Sequence, residues 1–306
     1  MTFSATRGQE PDWPPGANII TRFAPSPTGA LHIGHAWSAI RAHDLARAHG
    51  SKGGGAFLLR IEDIDGARSR VAHVAGIIDD LAWLGLRWDG PVTYQSARLS
   101  LYADALDKLR GMDLLYPCFC TRADIAASLG APQAGDAAAV YPGTCRALPA
   151  TVRDEKLAGT PHAWRIDMAR AVTMVGPLHW HDARAGRVVA DPLAQGDVVL
   201  ARKDAPASYH LAVTVDDAAQ NISDVVRGSD LFAATDIHRL LQALIGLPTP
   251  RYHHHPLLAD ENGRRFAKRD GAPALAQLRA SGQDGAELAQ MLRAGALPIG
   301  IAAIPH

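Results

Sequence analysis

One string near the start of the chain constrains it most. Arg22-Phe23-Ala24-Pro25-Ser26-Pro27-Thr28-Gly29 runs on into His32-Ile33-Gly34-His35. Upstream, Asn18 to Ala24 reads as a strand. Downstream, Trp37, Ile40, Leu45 and Ala48 recur at helical spacing from about Leu31 to His49, and Gly50 stands where a helix-ending glycine belongs. A strand, a Pro/Gly turn and a helix opening on His-x-Gly-His form a phosphate-facing arrangement, because the first N–H groups of a helix lack internal partners and favour an anion. Two imidazoles three residues apart can both face that anion, and Gly34 leaves room for a base against the backbone. Two histidines near a helix start are more often incidental when they stand alone; the whole string is far more specific.

The alternation continues. Phe57–Ile61 reads as a second strand. Ser69 can cap a helix carrying Val71, Val74, Ile78, Leu81 and Leu84, closed by Gly85. Ser96 can cap another, with Leu99, Tyr102, Leu106 and Leu109, closed by Gly111. Tyr209–Val215 and Ile222–Arg227 read as strands, a helix follows near Thr235–Ile245 with Gly246 closing it, and a last strand sits near Arg251–Leu258. Strands alternating with helices imply an α/β fold with a parallel sheet covered on both faces. Between Gly111 and Pro206 strands shorten and turns multiply, which reads as an insertion. The expected division is a polar lead at 1–17, a first half of the catalytic domain at 18–110, the insertion at 111–206, a second half at 207–258, and a loop with a short helical segment at 259–306. A length of 306 residues fits two domains or one α/β domain with an insertion.

Lys plus Arg and Asp plus Glu each number 31, so the net charge is zero, and hydrophobic residues make up 47%. That excludes a mainly disordered chain and a polycation holding nucleic acid by bulk charge, though not a local basic groove. No run reaches the roughly 18 apolar residues of a membrane span, so no membrane is expected. The first 17 residues lack an apolar signal core. Three cysteines crowded between 118 and 145 fit a metal site in a reducing compartment better than a disulfide framework, so a cytoplasmic protein is expected.

His-Ile-Gly-His at 32–35 resembles the signature of the class I aminoacyl-tRNA synthetases, and the preceding RFAPSPTG is similar to the glutamyl branch. Leu59–Asp65 (LRIEDID), Leu86–Ser96 (LRWDGPVTYQS), Tyr209–Asp217 (YHLAVTVDD) and Val225–Asp230 (VVRGSD) extend the resemblance over roughly 18–275. Within the branch the chain looks most like the truncated paralogues that place glutamate on the queuosine of tRNA(Asp). RIEDID and WDGPVTYQS favour the paralogue, whereas HIGH itself is closer to the full synthetase. The 36 residues after Asp270 leave no room for an anticodon-binding domain. The resemblance implies a Rossmann-type catalytic domain with an inserted α+β zinc-bearing subdomain that contacts the acceptor, acting as a monomer.

Site residues follow from the resemblance. The family's second signature, KMSKS, is matched by Arg265-Phe266-Ala267-Lys268-Arg269. Lys268 is kept, Arg265 preserves charge but not geometry, and Ala267 loses a hydroxyl. Taken alone this stretch reads as a solvated basic turn. ATP with Mg²⁺ is expected on His32, Gly34, His35, Arg265 and Lys268, with His32, His35 and Lys268 catalytic. L-glutamate is expected on Arg22, Phe23, Ala24, Pro25, Ser26, Glu62, Tyr209 and Arg227: guanidinium meets carboxylate, and Glu62 meets the ammonium group. Arg22 and Glu62 read equally well as a structural ion pair, and Asp63 and Asp65 as turn residues. Cys118-x-Cys120, then Tyr141-x3-Cys145, gives three thiolates and a phenolate for one structural Zn²⁺; His162 competes for the fourth place, and three buried thiols is the plainer reading. His253, His254 and His255 lie in a strand-like run where neighbours face opposite ways, and are weighed as non-ligands.

The implied activity is ATP-dependent activation of glutamate to glutamyl-adenylate and transfer to the queuosine base at the wobble position of tRNA(Asp). The alternatives are a glutamyl-tRNA synthetase charging the tRNA 3′ end and a noncatalytic tRNA-binding relative.

Overall fold

The computed structural model describes residues 18–48, 55–121, 123–125, 140–260, 274–297 and 301–304. In chain order the elements are β1 (Ile20–Phe23), α1 (Ile33–Ala48), β2 (Ala56–Ile61), α2 (Val71–Trp83), β3 (Thr93–Tyr94), α3 (Leu99–Gly111) and β4 (Leu115–Cys118). There follow α4 (Ala150–Gly159), β5 (Ala163–Ile166), α5 (Met168–Val175), β6 (His179–Asp182), β7 (Gly186–Val189) and β8 (Val199–Ala201). The last are α6 (Tyr209–Ala219), β9 (Asp224–Gly228), α7 (Ala234–Ile245), β10 (Arg251–His255), β11 (Leu257–Asp260), α8 (Leu275–Ala280), α9 (Gly285–Arg293) and β12 (Ile301–Ile304).

β1 pairs parallel with β2, and β2 with β3. β10 pairs parallel with β9 and with β6, while β7 runs antiparallel on β6. Hydrogen bonds at Ser223 join the two groups: its N–H donates to Ile20 O at 3.0 Å, and Ile20 N–H donates to Ser223 Oγ at 2.8 Å. The strands thus run in the order β3-β2-β1-β9-β10-β6-β7, a Rossmann-like α/β sheet whose centre is parallel. The pair at 179–189 lies inside the expected insertion by sequence yet is hydrogen-bonded to the second half. β4, β5 and β8 form a separate antiparallel sheet.

Alternation along β2 sorts the layers. Phe57, Leu59 and Ile61 enter a core with α1, α2, α8 and α9, whereas Arg60 is turned to α6. A second core packs α3, α6 and α7 together. Among the described residues no helix is long and apolar enough to cross a membrane.

Several local expectations need correction. Tyr209–Val215 is not a strand but the first two turns of α6. Every residue from Leu211 to Asp217 is buried, so the helix carries no polar stripe and its alternating Tyr/Leu/Val pattern mimics a strand. Ser69 does not cap α2: Arg70 occupies the cap position without a side-chain bond, and Ser69 Oγ is buried with no partner. Ser96 lies in a short 3₁₀ turn, and its N–H and Oγ–H both donate to Asp63, at 2.8 and 2.6 Å. The acceptor that starts this segment therefore comes from the loop after β2. The single strand expected at 251–258 is two, because Pro256 interrupts it and β11 turns to pair with β12. Gly50 lies outside the described residues.

Candidate active site

The parallel strands deliver their carboxyl ends to one place. Arg22 and Phe23 end β1, Glu62 follows β2, Arg227 is near the end of β9, and Tyr209 opens α6. In open α/β sheets this is the edge where ligands bind. The loop from Ala24 to Ser26 adjoins it: Glu62 N–H donates to Pro25 O at 3.1 Å, and Ser26 Oγ donates to Glu62 Oε2 at 3.4 Å.

Arg22 is buried and paired. Its Nε donates to Asp217 Oδ1 at 2.8 Å and its Nη2 to Asp217 Oδ2 at 3.3 Å. Arg60 Nη2 donates to the same Oδ1 at 2.7 Å, and Arg60 Nε donates to Gln220 at 2.6 Å. Burial works against the charges of both Arg22 and Asp217, but each holds the other charged: Arg22 ends above its ordinary pKa and Asp217 below its own. The ion pair weighed for Arg22 exists, but its partner is Asp217 on α6 rather than Glu62. Asp216, beside it, accepts from Gln95, Arg98 and Tyr102 and ties α6 to α3. Glu62 is half-buried; desolvation lifts it to about 7 against the pull of Arg60 and Arg22. An incoming ammonium would supply the missing counter-charge.

Arg227 is also buried, at 5% exposure, but its partners differ. Nε donates to His254 Nε2 at 3.1 Å. Nη1 faces Tyr209 OH and His238 Nδ1, each at 3.2 Å. Nη2 donates to Thr235 Oγ1 at 2.7 Å and Leu231 O at 3.3 Å. His254 Nδ1 in turn bonds Asp182 at 2.8 Å, and His238 Nε2 bonds His210 Nδ1 at 3.3 Å. Burial, reinforced by Arg227, lowers His210 to about 4 and His238 well below its ordinary value. Burial also lowers His254, although Asp182 pulls the other way.

At the start of α1 the rings of His32 and His35 lie 3.8 Å apart. His32 Nδ1 accepts from Gly34 N–H, and His35 Nδ1 from His32 N–H, both at 3.1 Å. Neutral rings so bonded carry their proton on Nε2. A Cβ on Gly34 would come within 3.0 Å of the His32 ring, so the glycine serves that ring as well as any base laid beside it. Arg265 and Lys268 lie outside the described residues.

Sequence reasoning missed Arg60, Asp216, Asp217, His210 and His238. The Asp-Asp ending YHLAVTVDD was the available signal for the acids, since two acids closing an apolar run call for cations. For the imidazoles no local signal existed. His253, His254 and His255 go to different partners, Asp224, Asp182 and the Pro256 carbonyl. A cavity of about 550 Å³ between α1, β10 and α9, lined by Trp37, Arg41, Arg184, His254 and His255, includes none of Arg22, Glu62, Tyr209 and Arg227 but borders the site through His254.

A second cluster lies on the separate sheet. The Sγ atoms of Cys118, Cys120 and Cys145 lie within 4.8 Å of one another. Tyr141 OH lies 3.5 Å from Cys118 Sγ and 3.6 Å from Cys120 Sγ, and it accepts from Cys145 N–H at 2.8 Å. Thiolates around a tetrahedral metal at about 2.3 Å stand roughly 3.8 Å apart, so these side chains could hold a metal ion with little movement. His162 is turned away, packed between Phe119 and Trp164.

The sequence profile described as tRNA synthetases class I (E and Q), catalytic domain, matches residues 18–301. The glutamyl-Q tRNA(Asp) synthetase of Rhodobacter capsulatus is 50% identical over 283 residues, covering 90% of this chain and 99% of its own. The protein of the same name in Symbiobacterium thermophilum is 42% identical over 275 residues, covering 86% and 82%. A glutamate tRNA ligase from Elizabethkingia meningosepticum, solved in complex with its amino acid, superposes with a TM-score of 0.69 at 29% identity over 83% of this chain; the match spans 52% of that ligase. With the parallel sheet, the His-Ile-Gly-His helix start and a match over nearly its whole length, the chain belongs to the glutamate and glutamine (E and Q) family of class I tRNA synthetase catalytic domains, a family of ligases.

Proposed function

We propose that the chain activates L-glutamate with ATP and transfers the glutamyl group to the queuosine base at the wobble position of tRNA(Asp). The observation that carries this reading is the convergence of Arg22, Glu62, Tyr209 and Arg227 at the strand ends beside the His32–His35 helix start. A guanidinium without a carboxylate partner and a carboxylate without a cation partner, among the described residues, match a ligand with an anionic side chain and an ammonium group. Glu62 takes the ammonium, and the Arg227–Tyr209 side takes the side-chain carboxylate. The α-carboxylate stays free to attack the α-phosphorus of ATP, and pyrophosphate leaves. His32 and His35 stabilise charge growing on the phosphate oxygens, an electrostatic role. Lys268 and Arg265 fall at the family's second phosphate motif and take the same role. Mg²⁺ bound with ATP supplies further neutralisation. A hydroxyl of queuosine's cyclopentenediol then attacks the glutamyl carbonyl, AMP departs and an ester forms. The names of the relatives from R. capsulatus and S. thermophilum support this acceptor.

The thiol cluster fits one structural Zn²⁺ held by Cys118, Cys120 and Cys145, with Tyr141 as fourth ligand, on an inserted subdomain built around the separate β4-β5-β8 sheet. The spacing of the sulfurs supports it.

Two assays test the function. Glutamate-dependent exchange between ATP and pyrophosphate should proceed without tRNA; its absence in folded protein with Mg²⁺ would favour a noncatalytic relative. Labelled glutamate should then attach to tRNA(Asp) only when queuosine is present, and should do so on a tRNA whose 3′ ribose was oxidised before queuosine was installed. Efficient 3′ charging of an unmodified tRNA(Glu) transcript would assign the chain instead to ordinary glutamyl-tRNA synthesis.

A further inference from the structure

We propose that His238 and His254 determine side-chain selectivity as positioning residues: they satisfy the buried Arg227 guanidinium with neutral acceptors, leave its charge uncancelled, and so make the pocket take an anionic side chain and reject the matching amide. This rests on the glutamate reading above.

A buried guanidinium needs acceptors for its N–H groups, and it can find them in carboxylates or in neutral atoms. The two pocket arginines divide on this point. Arg22 is gripped in bidentate fashion by Asp217, a carboxylate counter-charge that it shares with Arg60. Arg227 directs its five N–H groups at His254, Tyr209, His238, Thr235 and Leu231 O. Among the described residues no carboxylate forms an ion pair with it. The carboxylate bonded into this network, Asp182, is reached only through the far side of the His254 ring.

The bonds also fix each tautomer. Asp182 accepts from His254 Nδ1–H, so His254 Nε2 is a bare lone pair facing Arg227 Nε–H. His238 Nδ1 faces a donor-only group, so its proton is on Nε2 and is given to His210 Nδ1. Protonating any of these rings would set a ring N–H and a second positive charge against the guanidinium or its neighbour. His238 and His254 are 2% and 4% exposed, so little solvent contact screens that clash. The rings therefore stay neutral by construction.

Tyr209 completes the device. Its oxygen accepts from Arg227, so its own proton is directed elsewhere and can be given to a ligand oxygen. A side-chain carboxylate takes that proton bond and the uncancelled charge together. An amide offers its carbonyl to the same proton but brings no charge, and the acceptors around Arg227 that its NH₂ would need are already engaged by the guanidinium. Sites that leave such a group unpaired discriminate strongly.

The test uses the full chain and two ligands, L-glutamate and L-glutamine, with affinities by calorimetry and turnover by ATP–pyrophosphate exchange. His238→Glu supplies a carboxylate to Arg227; His238→Gln supplies a neutral acceptor. His238→Glu should cut the glutamate-to-glutamine preference by about 100-fold, mostly through glutamate KM, and His238→Gln should keep it within about fivefold. An unchanged preference in folded His238→Glu, or an equal loss in both variants, would overturn the proposal. If His238→Glu does not fold, His238→Leu, which withdraws the acceptor without adding charge, should raise glutamate KM about tenfold with kcat nearly constant; an unchanged KM would overturn it. Wild-type protein that binds glutamate but shows no exchange counts against the adenylation reading and leaves the role of His238 measurable by calorimetry. Wild-type protein that binds both amino acids equally overturns the proposal.

Discussion

The strand-end pocket and the thiol cluster are built on opposite terms. In the pocket the arginines already have hydrogen-bond partners: Arg22 and Arg60 on Asp217, Arg98 on Asp216, Arg227 on its neutral acceptors. In the cluster three sulfurs and a phenol crowd together, and burial pushes Cys120 up to about 11. The first site has its donors and acceptors placed by folding within the chain; the second is a set of ligand atoms that a cation would complete. Rigidity can therefore come from within the chain or from outside it, and the two sites should respond differently to the same insult.

The largest effect should come from the pocket. Arg227→Ala removes the cation facing the substrate carboxylate and should lower glutamate-dependent exchange by about 10³-fold; exchange within tenfold of wild type would remove Arg227 from the site. Next is Asp217→Ala, which strands two buried guanidiniums. Loss of one member of such a network costs about 3–5 kcal/mol, readable in denaturant titrations. A loss below about 1 kcal/mol would mean that water relieves the arginines and that the pocket is not self-sufficient.

Glu62 sharpens the contrast through pH. Its folded pKa is raised to about 7, so below that value it is protonated and cannot receive an ammonium. Glutamate KM should rise as pH falls, by about tenfold between pH 8 and pH 6, and Glu62→Gln should abolish the dependence at a uniformly higher KM. The same raised pKa means that the ionised form is disfavoured in the empty folded protein. Glu62 therefore lowers stability as pH climbs from its ordinary value of 4.5 through 7, and bound glutamate should restore it.

The smallest effect on activity should come from the cluster. Chelation or Cys145→Ser should lower the thermal midpoint by about 5 °C while exchange changes less than about threefold. Gently purified protein should hold one Zn²⁺ per chain by elemental analysis. Metal-free protein with an unaltered midpoint would show the cluster to be finished without a cation.

What the sequence makes legible follows the range of each interaction. Pro25, Pro27 and Gly29 between an apolar strand and a 3.6-period helix specify β1, the turn and α1 from neighbouring residues alone. Gly246 closes α7 in the left-handed conformation expected of it. Tyr209–Val215 misleads because burial on every side erases the period that separates helix from strand. Arg22 reads as a substrate ligand or as half of an ion pair, and nothing local reveals that its partner stands 195 residues away. His238 carries no pattern at all; only the packing of α7 against β9 and β10 makes it an acceptor for Arg227.

That separation bears on how the protein is made. β1 leaves the ribosome well before its partners: Asp217, which neutralises Arg22, and β9, the strand that flanks β1 on its second edge, are translated some two hundred residues later. At roughly 5–20 residues per second, the nascent chain waits on the order of ten seconds or more with that edge unpaired and that arginine without its carboxylate. An unpaired parallel-strand edge is a template for wrong pairing. Slowing translation between β2 and β9 should thus lower the yield of native protein more than an equal delay after β10, linking codon usage in that stretch to the assembly of a pocket encoded on either side of it.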